Sequence, residues 1–142
     1  MPKRILTARG NGKRFKRTPQ RLAILDYLDG NTSHPSAEDV YRAVSERYSS
    51  MSFATVYNTL NTLSQAGAVR ELTIDSDRKR YDPDTSMHHH LICVGCRKIV
   101  DIPGTVGVDV PEDIAAEFTI LGSHVEFYGQ CPTCKKKKKA SS

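Results

Sequence analysis

Two Cys-x-x-Cys pairs constrain the fold of this chain more than any other feature. Cys93 and Cys96 form the first pair, Cys131 and Cys134 form the second, and the chain has no further cysteine. Two such pairs supply four thiolates, which is the ligand set of a closed, tetrahedral zinc (Zn²⁺) site. The alternatives are redox-active dithiols or reduced thiols without a metal. We therefore predict a structural zinc site that ties together two distant stretches of the chain.

The composition is typical of a soluble globular protein in a reducing compartment. Hydrophobic residues make up 38% and charged residues 26% of the 142 residues. No apolar run approaches the length of a membrane span, and no apolar segment follows the basic start, so we expect a cytoplasmic location. The net charge of +5 favours a polyanionic partner. We expect the lysine-rich residues 135–142 to form a disordered tail.

The first half of the chain predicts two helices with clear starts. Thr18 followed by Pro19 is a capping hydroxyl and a proline at the first helical position, and Gly30 is a suitable stop. Ser36 and Asp39 have the spacing of a capping box at the start of a second helix. The apolar positions of the first helix recur at helical spacing: Leu22, Leu25 and Leu28.

A third helix is predicted for residues 52–66, within the stretch SFATVYNTLNTLSQAG. Ser52 caps it, Gly67 follows it, and one apolar stripe contains Phe53, Val56, Leu60 and Leu63. The remaining faces carry uncharged polar side chains: Thr55, Tyr57, Asn58, Thr59, Asn61 and Thr62. Such side chains suit hydrogen bonding to base edges and phosphates in a DNA major groove. An ordinary amphipathic helix is the alternative interpretation.

The stretch AVRELTIDSDRKRYD, residues 68–82, has the pattern of a strand, a polar turn and a second strand. Three helices followed by a basic-tipped hairpin are typical of a winged helix. We expect Arg78, Lys79 and Arg80 on or beside the wing, near the sugar–phosphate backbone. The fold class is thus predicted to be α+β, with a winged-helix DNA-binding domain at residues 1–82, of which residues 1–14 are flexible.

Residues 83–86 (PDTS) are predicted to be a hinge, after which the composition changes. We predict a small α/β dimerisation domain at residues 87–134, which contains the zinc site. Strands are expected in HHHLICV, RKIVDI and HVEFYGQC, and a short helix in DVPEDIAAEF. Because this domain has few apolar residues, it needs a metal, an oligomer or both to hold its shape.

Three consecutive histidines, His88, His89 and His90, remain after the cysteines are assigned. Because side chains alternate along a strand, His88 and His90 should share one face, and His89 should lie on the other. Asp82 and Asp101 are carboxylates within reach of that first face. Such a mixed set suits Fe²⁺, Mn²⁺, Co²⁺ or Zn²⁺ and is less thiophilic than the cysteine site. Surface histidines in a polar turn are the alternative.

Several motifs together resemble the ferric uptake regulator (Fur) family, over nearly the whole stretch from Phe15 to Cys134. They are TPQR (18–21), SHPSAEDVY (33–41), SFATVYNTL (52–60), RYD (80–82) and HHHLICVGCRKIVDI (88–102). The resemblance implies a dimeric, metal-dependent transcriptional repressor with a winged-helix lobe and a C-terminal dimerisation lobe. Within the family, the chain is similar to the peroxide-sensing PerR branch.

The resemblance also implies a regulatory iron (Fe²⁺) or manganese (Mn²⁺) site, with five ligands: His34, Asp82, His88, His90 and Asp101. The residues alone do not single out His34. In the PerR-like interpretation, bound iron reduces peroxide, the ring of His34 or His88 is oxidised, the metal leaves and repression ends. Many iron-sensing relatives carry glutamate at the positions of Asp82 and Asp101, so the two aspartates favour the peroxide branch.

A third metal site of some relatives is not assigned here. Its two histidine positions are occupied by Met87 and Ser123 in this chain, and His124 is one residue away. A shift of one residue in a strand turns the side chain to the opposite face. Whether His89, His124 or Glu126 contributes to a further metal site is therefore left open.

The implied partner is a double-stranded DNA operator with near-palindromic half-sites, bound by a homodimer through two recognition helices. The candidate DNA-binding residues are Arg14, Lys16, Arg17, Arg21, Ser52, Thr55, Tyr57, Asn58, Asn61, Arg78 and Lys79. We expect no membrane partner and no small-molecule substrate other than peroxide as the signal.

Other functions explain less of the sequence. An iron or zinc uptake regulator of the same family is the nearest alternative, because the same donors bind several divalent metals. A mononuclear metalloenzyme is less favoured, because the chain has no H-E-x-x-H motif and no evident general base. A zinc ribbon that binds only proteins gives no role to His88, His90 or Asp101. We therefore predict a regulator and not an enzyme.

Overall fold

The computed structural model describes residues 16–140, and the chain divides into two compact units between Thr85 and Ser86. The predicted hinge, residues 83–86, contains this division, whereas the predicted flexible segment 1–14 lies outside the described residues. Helices and strands are both present, which confirms the predicted α+β class. None of the helices in the described part of the chain is long and apolar enough to cross a membrane.

The first unit contains three helices followed by a two-stranded hairpin, the predicted order of a winged helix. These elements are α1 (Pro19–Leu28), α2 (Ala37–Ser45), α3 (Phe53–Gln65), β1 (Arg70–Leu72) and β2 (Arg80–Asp82). The strands are antiparallel, with Arg70 opposite Asp82. The strands are short because the polar residues between them form the turn of the wing.

Each helix of the first unit starts at the predicted cap. The Thr18 hydroxyl accepts a hydrogen bond from the backbone N–H three residues on, and the Ser52 hydroxyl does the same for α3. At α2, the Asp39 N–H donates to the Ser36 hydroxyl (3.2 Å), and the Ser36 N–H donates to the Asp39 carboxylate (3.0 Å). The local signals for helix starts are thereby confirmed.

The core of the first unit lies where the three helices and the hairpin meet. It contains Ile24, Leu25, Leu28, Val40, Val44, Val56, Leu60, Leu63, Val69 and Tyr81. Leu22 has the helical spacing noted in the sequence but is not buried with Leu25 and Leu28, and it is 39% exposed. Leu22 and Leu28 are six residues apart, which places them about 120° apart around a helix. Ile24 fills the buried position instead.

Two predicted positions in α3 also differ from the structure. Phe53 was expected in the buried stripe but is 42% exposed, because the first residue of the helix lies beyond the core and packs against Tyr41 and Tyr57. Thr59 was expected on a polar face but is fully buried. Its hydroxyl donates to the Thr55 carbonyl oxygen (2.7 Å), which satisfies the hydroxyl inside the core.

The second unit contains a three-stranded sheet with helices after its second and third strands. Its elements are β3 (His89–Cys93), β4 (Ile99–Ile102), α4 (Glu112–Ala115), β5 (Glu126–Gly129) and α5 (Pro132–Ala140). The strand order is β4-β3-β5, with β4 antiparallel and β5 parallel to β3. His90 in the central strand is opposite Asp101 on one side and Glu126 on the other.

Few apolar side chains are buried in the second unit. Within its described residues, the buried apolar side chains are Ile92, Cys93 and Ile99. Many other apolar side chains are exposed, among them Val100, Val108, Ile114, Phe118, Leu121 and Phe127. An exposed apolar surface of this kind is typical of a protein–protein interface.

The predicted disordered tail is wrong for most of its length, because α5 extends through residues 135–140. Pro132 suits the first turn of a helix, and lysine is a good helix former. The Lys135 N–H donates to the Cys131 carbonyl oxygen (3.0 Å), so the second cysteine pair lies in the first turn of the helix. Residues 141–142 lie outside the described part of the chain.

Candidate metal centres and nucleic-acid interface

The four cysteine sulfurs converge at one end of the sheet of the second unit. Cys93 is the last residue of β3, and Cys131 follows β5. Because these two strands are parallel, both cysteine pairs lie at the same end of the sheet. All four sulfurs lie within 4.8 Å of one another, and those of Cys96 and Cys131 are 3.7 Å apart. Sulfurs bound tetrahedrally at about 2.3 Å from zinc are about 3.8 Å apart. The four thiols therefore fit a structural zinc ion.

The charges at this cluster also favour a cation. Backbone N–H groups, chiefly that of Cys131 at 3.3 Å, lower the pKa of the Cys93 thiol to about 6. Hydrogen bonding to the neighbouring Cys131 sulfur raises the pKa of Cys134 to about 12. Four adjacent sulfurs cannot all ionise without a compensating charge, and a divalent metal provides it.

Gly95 leaves room for the cysteine cluster. A Cβ atom at this position would lie 2.8 Å from the Cys134 sulfur, closer than any ordinary contact. The turn after β3 therefore needs a residue without a side chain. The need for glycine follows from the position of Cys134, which is far away in sequence, and the sequence analysis did not identify it.

A second group of ligand atoms lies in the same unit, formed by His88, His90 and Asp101. The Asp101 Oδ1 atom is 3.0 Å from His88 Nε2 and 3.3 Å from His90 Nε2. The two rings are nearly edge to face, with centroids 4.6 Å apart, and both histidines are buried. Antiparallel pairing explains this convergence, because His90 and Asp101 are register partners in β3 and β4.

The tautomer of His88 shows why this group suits a metal. His88 Nδ1 is 2.8 Å from the Ser86 carbonyl oxygen, which can only accept, so Nδ1 carries the proton. When Nε2 carries no proton, its lone pair is directed at the Asp101 carboxylate. A cation relieves this opposition. Ligand atoms about 2.1 Å from one metal are about 3.0 Å apart at right angles and about 3.4 Å apart at tetrahedral angles, so the observed distances fit.

The first unit brings together the other two predicted regulatory ligands. His34 Nε2 is 3.4 Å from Asp82 Oδ2, and both side chains are buried. The Tyr81 N–H donates to the Pro35 carbonyl oxygen (2.9 Å), which holds the segment before α2 against β2. His34 has a φ of 52°, an uncommon conformation for a residue with a side chain, and such strain clusters at functional sites.

The three residues whose role the sequence left open, His89, His124 and Glu126, lie close to His90 in the sheet. The His89 Nδ1 atom accepts a hydrogen bond from the Val125 N–H (2.9 Å). His124 Nε2 is 3.0 Å from His90 Nδ1, and His124 Nδ1 is 3.7 Å from a Glu126 carboxylate oxygen. These contacts depend on the parallel pairing of β3 with β5, which no local pattern in the sequence predicted.

The exposed part of α3 is the candidate DNA-reading surface. Ser52, Tyr57 and Asn58 are exposed, whereas Thr55 and Asn61 are half-buried. Phe53 was not among the candidate DNA-binding residues, yet its ring is exposed and stacks on Tyr57 with centroids 6.5 Å apart. The sequence could have indicated this exposure, because Phe53 directly follows the capping Ser52 and is therefore the first residue of α3. Exposed aromatic rings add apolar contacts, for example to thymine methyl groups.

The candidate phosphate-binding residues near α1 are accessible. Lys16 and Arg17 are exposed, and the half-buried Arg21 donates a guanidinium hydrogen bond to the Lys16 carbonyl oxygen (3.3 Å). Arg14 lies outside the described residues. The described cations thus lie just before and within the first turn of α1.

The cations of the wing are all close to carboxylates. Arg78 is exposed, and its guanidinium is 3.8 Å from Asp39 and 3.7 Å from Asp75. Lys79, also exposed, is 3.4 Å from Glu71. Arg80 was expected on or beside the wing and near the sugar–phosphate backbone, but this arginine is buried in β2, with Nε 3.6 Å from Asp75. A buried carboxylate draws the guanidinium inward.

Comparisons with known proteins agree with this geometry. The model of the ferric uptake regulator family matches residues 12–128. The Peroxide operon regulator of Bacillus subtilis (strain 168) is 44% identical over 124 residues, covering 85% of each chain. The peroxide-responsive repressor PerR of Staphylococcus epidermidis is 39% identical over 121 residues, covering 84% of this chain and 81% of that protein.

Solved structures show the same fold. The iron-containing ferric uptake regulator of Francisella tularensis aligns with a TM-score of 0.69 at 26% identity, over 89% of this chain and 98% of that one. The ferric uptake regulator of Vibrio cholerae aligns with a TM-score of 0.65 at 29% identity, over 82% and 92%. This chain belongs to the ferric uptake regulator family.

Proposed function

We propose that this chain is a metal-dependent, peroxide-responsive transcriptional repressor that binds DNA as a homodimer, and not an enzyme. The convergence of His88, His90 and Asp101, with the His88 tautomer set for ligation, is the observation that carries the proposal. Family membership and the similarity to proteins named as peroxide-responsive repressors support it. We place its action in the cytoplasm.

The two groups of ligands suit different metals. Four thiolates from Cys93, Cys96, Cys131 and Cys134 would hold structural Zn²⁺. Imidazole and carboxylate donors are harder and suit Fe²⁺ or Mn²⁺. We assign zinc to folding of the second unit and the iron or manganese ion to regulation.

We further propose that one regulatory ion takes all five ligands, namely His34, Asp82, His88, His90 and Asp101. Support comes from the family resemblance and from the ligand-like distances within each group, 3.4 Å in the first unit and 3.0 to 3.3 Å in the second. An ion that binds one arrangement of the units better than others shifts the population toward it. That arrangement would space two recognition helices for a near-palindromic operator.

Mn²⁺ binding to single and double variants tests the shared ion. The zinc-containing chain should bind one further ion, and His34→Ala or His88→Ala should each lower its affinity at least about tenfold, because each removes a ligand of one ion. The double variant should lose less than the two losses added together. Two regulatory ions per chain, or fully additive losses, would contradict a shared site.

Peroxide sensing would follow from oxidation of a ligand ring. Bound Fe²⁺ supplies one-electron reduction of peroxide, a chemistry to which Mn²⁺ is far less suited. Over the whole reaction the His34 or His88 ring would supply both electrons that peroxide accepts, gain one oxygen atom in place of a ring hydrogen and release water, and the iron would end as Fe²⁺. Because an oxidised ring is a poorer ligand, the site would lose affinity for its metal.

DNA binding with each metal, before and after peroxide, tests this response. The iron-loaded protein should release operator DNA after mild peroxide and show one added oxygen on His34 or His88 by mass spectrometry. The manganese-loaded protein is the control and should stay bound. Insensitivity to peroxide combined with release by a chelator would instead favour the alternative, an iron or zinc uptake regulator.

For DNA contacts, we propose that α3 reads bases and that cations near α1 contact phosphates. We add Phe53 to the predicted DNA-binding residues. The predicted residues are Arg14, Lys16, Arg17, Arg21, Ser52, Thr55, Tyr57, Asn58, Asn61, Arg78 and Lys79. Asn58→Ala should cost about 1–3 kcal/mol on the operator but little on random DNA. Lys16→Ala should weaken binding to the operator and to random DNA alike. It should also lower by about 1 the slope of the logarithm of the binding constant against the logarithm of the salt concentration. Equal effects of the two variants would contradict this division.

A further inference from the structure

We propose that His124 and Glu126 are positioning residues that hold the His90 ring in the tautomer required for metal binding. The inference rests on the proposed function in one respect, the role of His90 as a ligand of the regulatory ion. Neither residue belongs to the family's ligand pattern as it matches this chain, where Met87 and Ser123 occupy the positions of the additional histidines.

Sheet register brings the three residues together. Glu126 is the parallel partner of His90 across β3 and β5, and His124 lies two residues before it. The His90 Nδ1 and His124 Nε2 atoms are 3.0 Å apart, and the ring planes are inclined at 55°. The other nitrogen of His90, Nε2, is 3.3 Å from Asp101. His90 is therefore contacted at both ring nitrogens.

The Glu126 carboxylate determines which ring nitrogens of His124 and His90 carry protons. The Tyr128 hydroxyl donates to one Glu126 oxygen (3.0 Å), while the other oxygen faces His124 Nδ1 at 3.7 Å. A carboxylate at that distance favours the proton on His124 Nδ1 and leaves Nε2 as an acceptor. His90 Nδ1 then donates to His124, and His90 Nε2 presents its lone pair to the metal.

Because His90 is buried, its contact with His124 determines which of its ring nitrogens carries the proton. The His90 side chain is completely buried, so water does not replace a lost partner at Nδ1. His88 reaches the same tautomer differently, through the Ser86 carbonyl oxygen of the backbone. The orientation of one ligand ring thus depends on backbone and that of the other on a side chain that substitution can remove.

A positioning role fits the geometry better than a further metal site. In the described chain, neither His124 nor Glu126 joins a group of three or more converging ligand atoms. His89 Nδ1 accepts the Val125 N–H and points to the backbone. His124 Nε2 lies 3.0 Å from His90 Nδ1, the ring nitrogen of His90 opposite to the one beside Asp101.

Nitrogen NMR of the histidine side chains tests the contact directly, in protein that retains structural zinc but carries no regulatory ion. A scalar coupling across the N–H···N hydrogen bond should connect the His90 and His124 rings. After addition of Zn²⁺ as a diamagnetic ion, the proton should reside on His90 Nδ1. Absence of the coupling, or a proton on His90 Nε2 in the loaded state, would overturn the inference.

Substitution of His124 tests its consequence for the metal. His124→Leu should lower the Mn²⁺ affinity of the regulatory site about tenfold or more, as removal of such partners does elsewhere. His124→Gln supplies an amide oxygen that can accept from His90 Nδ1 and should restore most of the loss. The neighbouring Ser123→Ala is the matched control, and zinc content verifies folding. An unchanged affinity in His124→Leu, or no recovery in His124→Gln, would contradict the role.

Glu126→Gln tests the charged end of the chain against Glu117→Gln, an exposed carboxylate elsewhere in the unit. The first variant should lower Mn²⁺ affinity less than His124→Leu, and the second should not change it. Equal affinities of the two variants would remove Glu126 from the proposal. If the unaltered chain bound no regulatory ion, the proposed function would fail, whereas the ring-to-ring coupling would still report on His124.

Discussion

The two units of this protein are stabilised by different means. In the first unit, the apolar faces of three helices and Tyr81 of the hairpin form a continuous buried core. In the described part of the second unit, Ile92, Cys93 and Ile99 are the buried apolar side chains, and four sulfurs converge beside them. Hydrophobic burial thus stabilises the first unit, whereas the second unit buries few apolar side chains and brings together four thiols that fit a structural metal ion.

The two groups of candidate metal ligands in the second unit also differ, both in the strand pairing that forms them and in the type of ligand. The cysteine pairs are set by the parallel ends of β3 and β5, and the His88–His90–Asp101 group by the antiparallel pairing of β3 with β4. One sheet thus carries a group of soft ligands at one end of its strands and a group of harder ligands shared by β3 and β4. Loss of one metal should therefore affect the molecule differently from loss of the other.

Loss of structural zinc should produce the largest effect. Cys96→Ser should abolish zinc binding and unfold the second unit, because a structural zinc ion contributes on the order of 10 kcal/mol to folding. Zinc content and circular dichroism measure the loss, and the first unit should still unfold cooperatively on heating. Thr133→Ala, between the other two cysteines, is the matched control. A folded second unit without zinc would break the comparison.

A cavity in the first unit should have a smaller effect, confined to that unit. Leu60 is completely buried, so Leu60→Ala should lower the free energy of unfolding by about 2–5 kcal/mol, measured by urea denaturation. Gln65→Ala, exposed on the same helix, should change it little. Zinc content should remain the same in both variants. Loss of zinc from Leu60→Ala would mean that the two units do not fold independently.

Alkaline pH should produce the smallest effect and again act on the first unit. Burial raises the pKa of Tyr81 from 10.0 to about 12. Above pH 10 the unfolded chain therefore releases this proton while the folded chain retains it, so stability falls by about 1.4 kcal/mol per pH unit up to pH 12. Tyr81→Phe should remove this slope in urea denaturation, whereas Tyr48→Phe should keep it. The same slope in Tyr81→Phe would contradict the assignment.

Local signals explain why much of the fold was predictable. A capping hydroxyl acts on an N–H three residues away, so Thr18, Ser36 and Ser52 mark helix starts without any knowledge of the tertiary structure. Errors arose where packing between elements, and not residue spacing alone, decides burial. Arg80 is drawn inward by Asp75, and Leu22 is exposed although it shares the helical spacing of its neighbours.

The candidate sites divide in the same way. The spacing Cys-x-x-Cys is itself a metal-binding signal, and so the four candidate zinc ligands could be proposed from the sequence alone. His34 required the family resemblance, because its approach to Asp82 depends on a hydrogen bond between Pro35 and Tyr81. The contact between His124 and His90 could not be predicted from the sequence, because it depends on the pairing of β3 with β5.

By itself, the sequence determined the helix starts, the wing, the four thiol ligands and the presence of histidines and aspartates suited to a harder metal. All of these depend on short-range spacing and on the chemistry of single side chains. The tertiary structure alone decided which nitrogen of His88 carries its proton, that His124 contacts His90, and which side chains of the wing are buried. These features depend on distances between particular atoms, and only the folded backbone fixes such distances, even where the two residues are as near in sequence as Ser86 and His88.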